Sequence, residues 1–250
     1  MEGDAAAIAL AQSWLRIGNT LPGGWARVEG GVTAAVTGIP VPYLNGVFVI
    51  DGSRDRVASM LEAVAATGLP HCLLLRPEIA GSMGALATRR GMTRTADVPL
   101  MVLDGIEAMP QPASPAGLTI RRLQPEEAAV HAHTAAAGFE APEEVFLRLM
   151  TPQMLRFDGA RCYIGEVAGE PVATGYGELS PGGGVGIFNI ATIHRFRGRG
   201  FGSAVTARAL ADAAAGGATW AWLQSTADGY RVYERLGFRT AADWQRWISS

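Results

Sequence analysis

Between Arg161 and Leu179 apolar and polar positions alternate in two runs, Arg161 to Val167 and Pro171 to Leu179, which predicts two strands joined as an antiparallel hairpin at Gly169-Glu170. Upstream, Leu118 to Leu123 reads as a strand, Pro125 opens an Ala-rich helix from Glu126 to Ala137, and a second helix follows Pro142. Downstream, Gly182-Gly183-Gly184 makes a turn and Val185 to Ile193 forms a mostly apolar strand that runs into an arginine-glycine segment. A helix from about Gly202 to Ala215, a strand at Thr219 to Gln224, a helix over about Asp228 to Leu236, a Gly237-Phe238 break and a short strand from Trp244 to Ile248 complete the pattern. The layout is α+β.

The first part of the chain repeats some of this order: strand Gly46 to Ile50, helix Arg54 to Ala66, strand His71 to Leu75, helix Ile79 to Arg90, then Gly91-Met92 and a strand at Pro99 to Leu103. Arg89-Arg90-Gly91-Met92 falls where Arg235-Leu236-Gly237-Phe238 falls later, so the two halves read as diverged copies of one fold. Three prolines between Met109 and Gly117 keep the backbone out of helix and ladder. The expected organisation is a first domain over residues 1–110, a linker at 111–117 and a second domain over 118–250.

Composition narrows the chemistry. Hydrophobic residues make up 48% and charged residues 18% of 250 residues, which suits packed cores. The formal net charge of -2 sets up no field toward nucleic acid or an anionic membrane surface, and neither partner is expected. All 21 basic residues are arginine, which excludes a lysine nucleophile, a Schiff base or a P-loop lysine. Cys72 and Cys162 stand far apart and the four histidines show no ligand spacing, so no metal is expected. No signal segment or membrane-length apolar run is read, and a cytoplasmic location is expected. The surplus of Ala, Gly and Arg without Lys reads as the coding bias of a GC-rich bacterial genome.

Arg197-Gly198-Arg199-Gly200-Phe201-Gly202-Ser203 lies between a strand and a helix. A turn with so few side chains lets backbone N–H groups converge on an anion at the helix N-terminus, and arginines add charge-assisted bonds suited to phosphate. The plain alternative is a glycine-rich connection with solvated arginines. The spacing is neither G-x-G-x-x-G nor a P-loop. In the first half the corresponding stretch is Asp51-Gly52-Ser53-Arg54-Asp55, with two acidic residues and one glycine, so that copy is expected to lack a phosphate site.

Arg197, Gly200 and Gly202 resemble the R/Q-x-x-G-x-G/A signature of the GNAT superfamily of N-acetyltransferases, and Tyr233-Glu234-Arg235-Leu236-Gly237-Phe238 resembles its Y-x-x-L-G-F ending. The resemblance covers Leu118 to about Ile248; the first half shares only the order of elements, and together they look like a tandem GNAT protein with a degenerate first copy. It implies two domains, each a mixed, mostly antiparallel sheet flanked by helices, and acetyl-CoA as co-substrate. It further implies pantetheine contacts at Ile190 and Thr192 around Ala191, a pyrophosphate cradle over Arg197 to Ser203, and Tyr233 as the general acid that protonates the leaving CoA thiolate. Thr192 and His194 replace the more usual Val and Pro, changes that backbone contacts tolerate. Thr226 replaces a customary Asn, and its hydroxyl remains a possible donor to CoA.

A general base is less clearly marked, because the strand Val185 to Ile193 has only Asn189 as an interior polar group. Glu178 is the leading candidate, Glu166 the second and a water chain the third, against the reading of both glutamates as solvated strand ends. His194 reads as structural, and Cys162, with no histidine nearby, as no nucleophile. Trp220, Trp222, Trp244 and Trp247 read as core on the last two strands. The expected activity is direct acetyl transfer to a primary amine, on a small molecule rather than a protein. Transfer of a different acyl group and a non-catalytic CoA sensor are the rivals; the oligomeric state is not legible.

Overall fold

The computed structural model describes residues 2–109 and 114–249, so residues 111–113 of the expected linker lie outside the described residues. In chain order the first elements are α1 (Glu2–Thr20), β1 (Trp25–Glu29), β2 (Val32–Val36), β3 (Asn45–Val49), α2 (Arg54–Ala65), β4 (Cys72–Leu75), α3 (Pro77–Arg89), β5 (Thr93–Arg94) and β6 (Val98–Asp104). There follow β7 (Leu118–Arg122), α4 (Ala128–Phe139), α5 (Glu143–Leu149), α6 (Pro152–Leu155), β8 (Ala160–Val167), β9 (Glu170–Ser180) and β10 (Gly184–Thr192). The chain ends with α7 (Phe201–Ala215), β11 (Trp220–Gln224), α8 (Ala227–Arg235) and β12 (Arg239–Ile248).

Contacts divide the chain into one unit of residues 1–100 with 240–250 and a second of residues 101–239. The boundary therefore falls inside β6, before the proline-rich stretch. The closing strand, which the sequence assigns to the second domain, belongs to the first: β12 pairs antiparallel with β4, Gln245 to Ile248 opposite Leu75 to Cys72. Trp222 and Trp244 are fully buried in different units.

In the first unit the antiparallel strands β1, β2 and β3 are followed by β4, parallel to β3. Every residue of β2, β3 and β4 is buried, the mark of central strands covered on both faces. Val32, Val47 and Leu73 meet Val57, Leu61 and Val64 from α2 in one core. The sequence reading leaves α1, β1 and β2 unassigned and places β3, α2, β4, α3 and β6 within two residues of their observed bounds.

In the second unit β7, β8, β9 and β10 are antiparallel and β11 lies parallel to β10. On one face α7 packs through Ala204, Val205, Ala209 and Leu210 against Tyr163, Val185 and Ile187. On the other face α4 and α5 pack through Ala132, Ala135 and Phe146 against Ala191. The β8–β9 hairpin turns one residue earlier than expected. Ala168 (φ +51°) and Gly169 (φ +80°) are both left-handed, as a two-residue turn matched to strand twist requires.

Candidate functional site

Two neighbouring strands part at the centre of the second unit. β10 pairs with β11 only from Gly184 to Gly186, opposite Trp220 to Trp222, whereas its ladder to β9 runs on to Thr192. Beyond Gly186 the β11 edge of β10 carries backbone N–H and C=O groups with no strand partner, which calls for a ligand or water. The β9 ladder is itself interrupted between Phe188 and Ala191, where Asn189 takes a left-handed conformation (φ +50°). This bulge inserts one residue. It lets both Ile187 and Ile190 face the α7 core while Ala191 turns to α4.

The parted strand leads into the arginine-glycine turn. Gly200, at φ +79°, precedes α7, and no side chain caps the helix. The first N–H groups of an α-helix have no intrahelical acceptor, so those of Phe201, Gly202 and Ser203 remain available to an anion at the positive end of the helix. The three arginines around the turn differ in their engagements. Arg195 forms an ion pair with Glu170. Arg197 donates from Nη2 to the Gly138 carbonyl at 2.6 Å and from Nε to the Thr192 carbonyl at 3.3 Å, with Glu140 3.4 Å away. Arg199 lies over the Phe196 ring at 5.3 Å and has no acidic partner among the described residues. The turn thus has the geometry of an anion cradle, but Arg197, expected as a phosphate ligand, is directed at the end of α4.

Tyr233 is positioned by α8, which begins at Thr226: the threonine hydroxyl accepts from the Gly229 N–H at 3.2 Å as the helix N-cap. That bond uses one lone pair of the hydroxyl and leaves its hydrogen to donate. Gly229 makes room for the tyrosine, since a Cβ there would sit 3.0 Å from the Tyr233 ring. The ring meets Phe238 edge-on at 5.8 Å and packs on the α7-side core. Burial pushes the phenol up to about 12 from 10, so the hydroxyl keeps its proton at neutral pH.

Glu178 is 2% exposed, not the solvated strand end of the plain reading. Its carboxylate accepts from the Tyr176 hydroxyl at 3.2 Å. Glu178 stands opposite Gly186, which stands opposite Trp222, so it shares the last rung before β11 leaves. Tyr176 and Phe188 stand opposite each other two rungs further on, on the same face, their rings 6.0 Å apart, and Phe188 meets Trp222 edge-on at 5.2 Å. An aromatic cluster therefore lines the root of the opening beside Glu178. Glu166, by contrast, is held by Arg121 at 3.2 Å. His194 is exposed in the helical turn before the cradle. Cys162 is buried, and desolvation raises its thiol well above the ordinary value, which suits a packing role.

Some contributors have no signal in the sequence. Gly138 brings α4 onto β10 so closely that a Cβ would fall 2.8 Å from that of Ala191. His131 donates from Nδ1 to Thr174 Oγ1 at 2.6 Å, because the threonine hydrogen is given to the Tyr163 carbonyl. Its Nε2 is buried without a partner, and burial pushes the ring down to about 3. Among the described residues no group of His, Cys, Asp and Glu could hold a metal ion, and no helix is long and apolar enough to cross a membrane.

Residues 127–238 match the acetyltransferase (GNAT) family. No curated protein matches the chain. Among solved structures the chain is similar to a GCN5-related N-acetyltransferase from Kribbella flavida, at 23% identity and TM-score 0.74 over 100% of this chain and 96% of that one. It is similar to a GCN5-related N-acetyltransferase from Sphaerobacter thermophilus, at 16% identity and TM-score 0.63 over 100% of this chain and 93% of that one. A tandem GNAT protein from the clavulanic acid biosynthesis pathway aligns at 18% identity and TM-score 0.61 over 91% of this chain and 80% of that one. At such identities the structural likeness is one of fold. The family match falls on the elements that carry the parted strands, the cradle and Tyr233, and supports acetyl transfer from acyl-CoA in general terms.

Proposed function

We propose that the protein is an acetyl-CoA-dependent N-acetyltransferase whose second unit moves the acetyl group directly to a primary amine. The observation that carries this reading is the parting of β10 from β11 immediately before an uncapped helix N-terminus. The pantetheine arm completes the unpaired edge of β10 at Ile190 and Thr192, around Ala191, in place of a strand. The pyrophosphate lies on the N–H groups of the turn from Gly198 to Ser203.

The chain's own groups then divide the proton work. Glu178, at the root of the opening, takes the amine proton through intervening water, and the desolvated Tyr233 hydroxyl gives its proton to the departing thiolate. Thr226 keeps a hydrogen to donate to CoA. The acceptor is read as a small-molecule amine, and the aromatic cluster of Tyr176, Phe188 and Trp222 favours an apolar body beside it. The first unit is read as a degenerate copy of the same fold, and the cell compartment as the cytoplasm.

Calorimetric titration with acetyl-CoA tests the reading, comparing the wild type with Ser203→Asp. An aspartate in the first turn favours the helix but repels phosphate. We expect one site per chain, and in the variant at least a roughly hundredfold weaker Kd with an unchanged or raised Tm. Absence of binding to the wild-type protein would remove the acetyltransferase reading; two sites would show that the first unit retains a cradle. CoA binding retained by Tyr233→Phe, together with no thiol release by the wild-type protein across a panel of primary amines, would leave the CoA sensor.

A further inference from the structure

We propose that Arg197 is a positioning residue that clamps the end of α4 onto the parted strand, and that Arg199 is the arginine that meets the phosphates; this rests on the acetyl-CoA reading above. Arg197 is the residue the sequence motif would place on pyrophosphate. In the structure its guanidinium is already committed to two backbone carbonyls on two elements, Gly138 at the end of α4 and Thr192 at the end of β10. The Gly138 carbonyl belongs to the last turn of α4, where carbonyls lack intrahelical partners and the helix dipole favours a cation. Glu140, left-handed at φ +53°, ends the helix and adds its carboxylate to the same guanidinium.

The clamp lies where β10 needs it. Past Gly186 the strand has lost β11 and is held on one edge by β9, on one face by α7 through Ile187 and Ile190, and on the other by α4 through Ala191. Gly138 allows α4 to approach within van der Waals contact of Ala191 and Thr192, and Arg197 draws the same two segments together. A planar fork can serve both carbonyls at once; a lysine ammonium is a point charge and cannot hold that geometry. Arg195 is meanwhile neutralised by Glu170, so Arg199, steadied on the Phe196 ring and without an acidic partner, is the cation left to face a dianionic ligand.

Hydrogen exchange on the unliganded protein and calorimetry with two acyl donors test the assignment. S-acetylpantetheine carries the arm that lies on β10 but no pyrophosphate. In Arg197→Ala, and equally in Arg197→Lys, we expect exchange about tenfold faster at residues 136–140 and 190–193 without ligand, and affinity reduced by a similar factor, roughly tenfold, for both acetyl-CoA and S-acetylpantetheine. In Arg199→Ala we expect unchanged exchange, an affinity for acetyl-CoA reduced about tenfold, and no change for S-acetylpantetheine. The assignment is overturned if Arg197→Ala leaves exchange unchanged and weakens only acetyl-CoA, if Arg197→Lys restores acetyl-CoA binding fully, or if both arginines behave alike. If the wild type binds neither donor, the acetyltransferase reading fails, and the clamp is still judged by the exchange of the unliganded variants.

Discussion

Among the described residues two parallel strand pairs are each joined by a helix, and they end differently. In the first unit β3 and β4 stay paired from Gly46 opposite Cys72 to Val49 opposite Leu75, and the Arg76 N–H continues the ladder to the Val49 carbonyl at 3.1 Å. In the second unit β10 and β11 separate after three residue pairs. The turns that follow match this difference. Before α2, Asp51 Oδ1 accepts from the Gly52 N–H at 2.7 Å and Ser53 Oγ caps the helix by accepting from the Arg56 N–H at 3.3 Å. Before α7, glycine leaves the helix start open. One topology yields a closed structural pair or an open one, depending on whether the backbone's hydrogen-bonding groups are met by the protein or left for a ligand.

The largest effect that would test this contrast is on turnover. Tyr233→Phe keeps the ring against Phe238 but removes the proton, and thiol release should fall roughly a hundredfold or more while the Kd for acetyl-CoA stays within about twofold. Because the phenol is pushed up to about 12, the wild-type rate should show no alkaline loss of this acid below about pH 10, and stability should fall as pH rises from 10 toward 12. A rate insensitive to the substitution would take Tyr233 out of the chemistry.

Exchange of backbone amides sharpens the comparison itself. Amides of residues 187–190 should exchange about tenfold or more faster than those of residues 46–49 in the free protein, and the gap should narrow when acetyl-CoA is added. Equal protection without ligand would mean that the parted edge is not open to water.

Acid stability gives a smaller effect, peculiar to the second unit. Folded His131 stays neutral down to about 3, whereas an unfolded histidine takes a proton near 6.5. Stability is therefore complete above about pH 6.5 and declines below it by at most about 1.4 kcal/mol per pH unit, a slope readable between pH 6.5 and 5 before carboxylates titrate. His131→Asn should flatten that slope in urea unfolding followed across the same range. The smallest effect belongs to the closed turn. Ser53→Ala should cost about 1 kcal/mol of stability through the lost cap, measured by denaturation, and leave acetyl-CoA affinity unchanged.

Legibility in the sequence followed the range of the interactions. Alternation in β8 and β9, the apolar run of β10 and the helices bounded by Pro and Gly could be read because period and breakers are local, with bounds shifted by a residue or two at hairpin and helix ends. The arginine-glycine turn was equally legible, since left-handed backbone at Gly198 and Gly200 leaves a direct trace in residue type. The elements before β3 go unassigned in the sequence reading although Pro22-Gly23-Gly24 and Gly30-Gly31 punctuate them, with Gly23 and Gly30 both left-handed.

What the sequence by itself determined, then, was the α+β class, the order of the longer elements from β3 onward and the place where an anion could rest on a helix, all dictated by neighbours along the chain. Only the tertiary structure decided that β12 completes the first unit, that β10 leaves β11 after Gly186, that Glu178 is buried at the root of that opening, and that Arg197 turns to α4 while Arg199 rests on the Phe196 ring. Those outcomes depend on which distant backbone groups come close enough to be bonded or left open, and no local pattern encodes that.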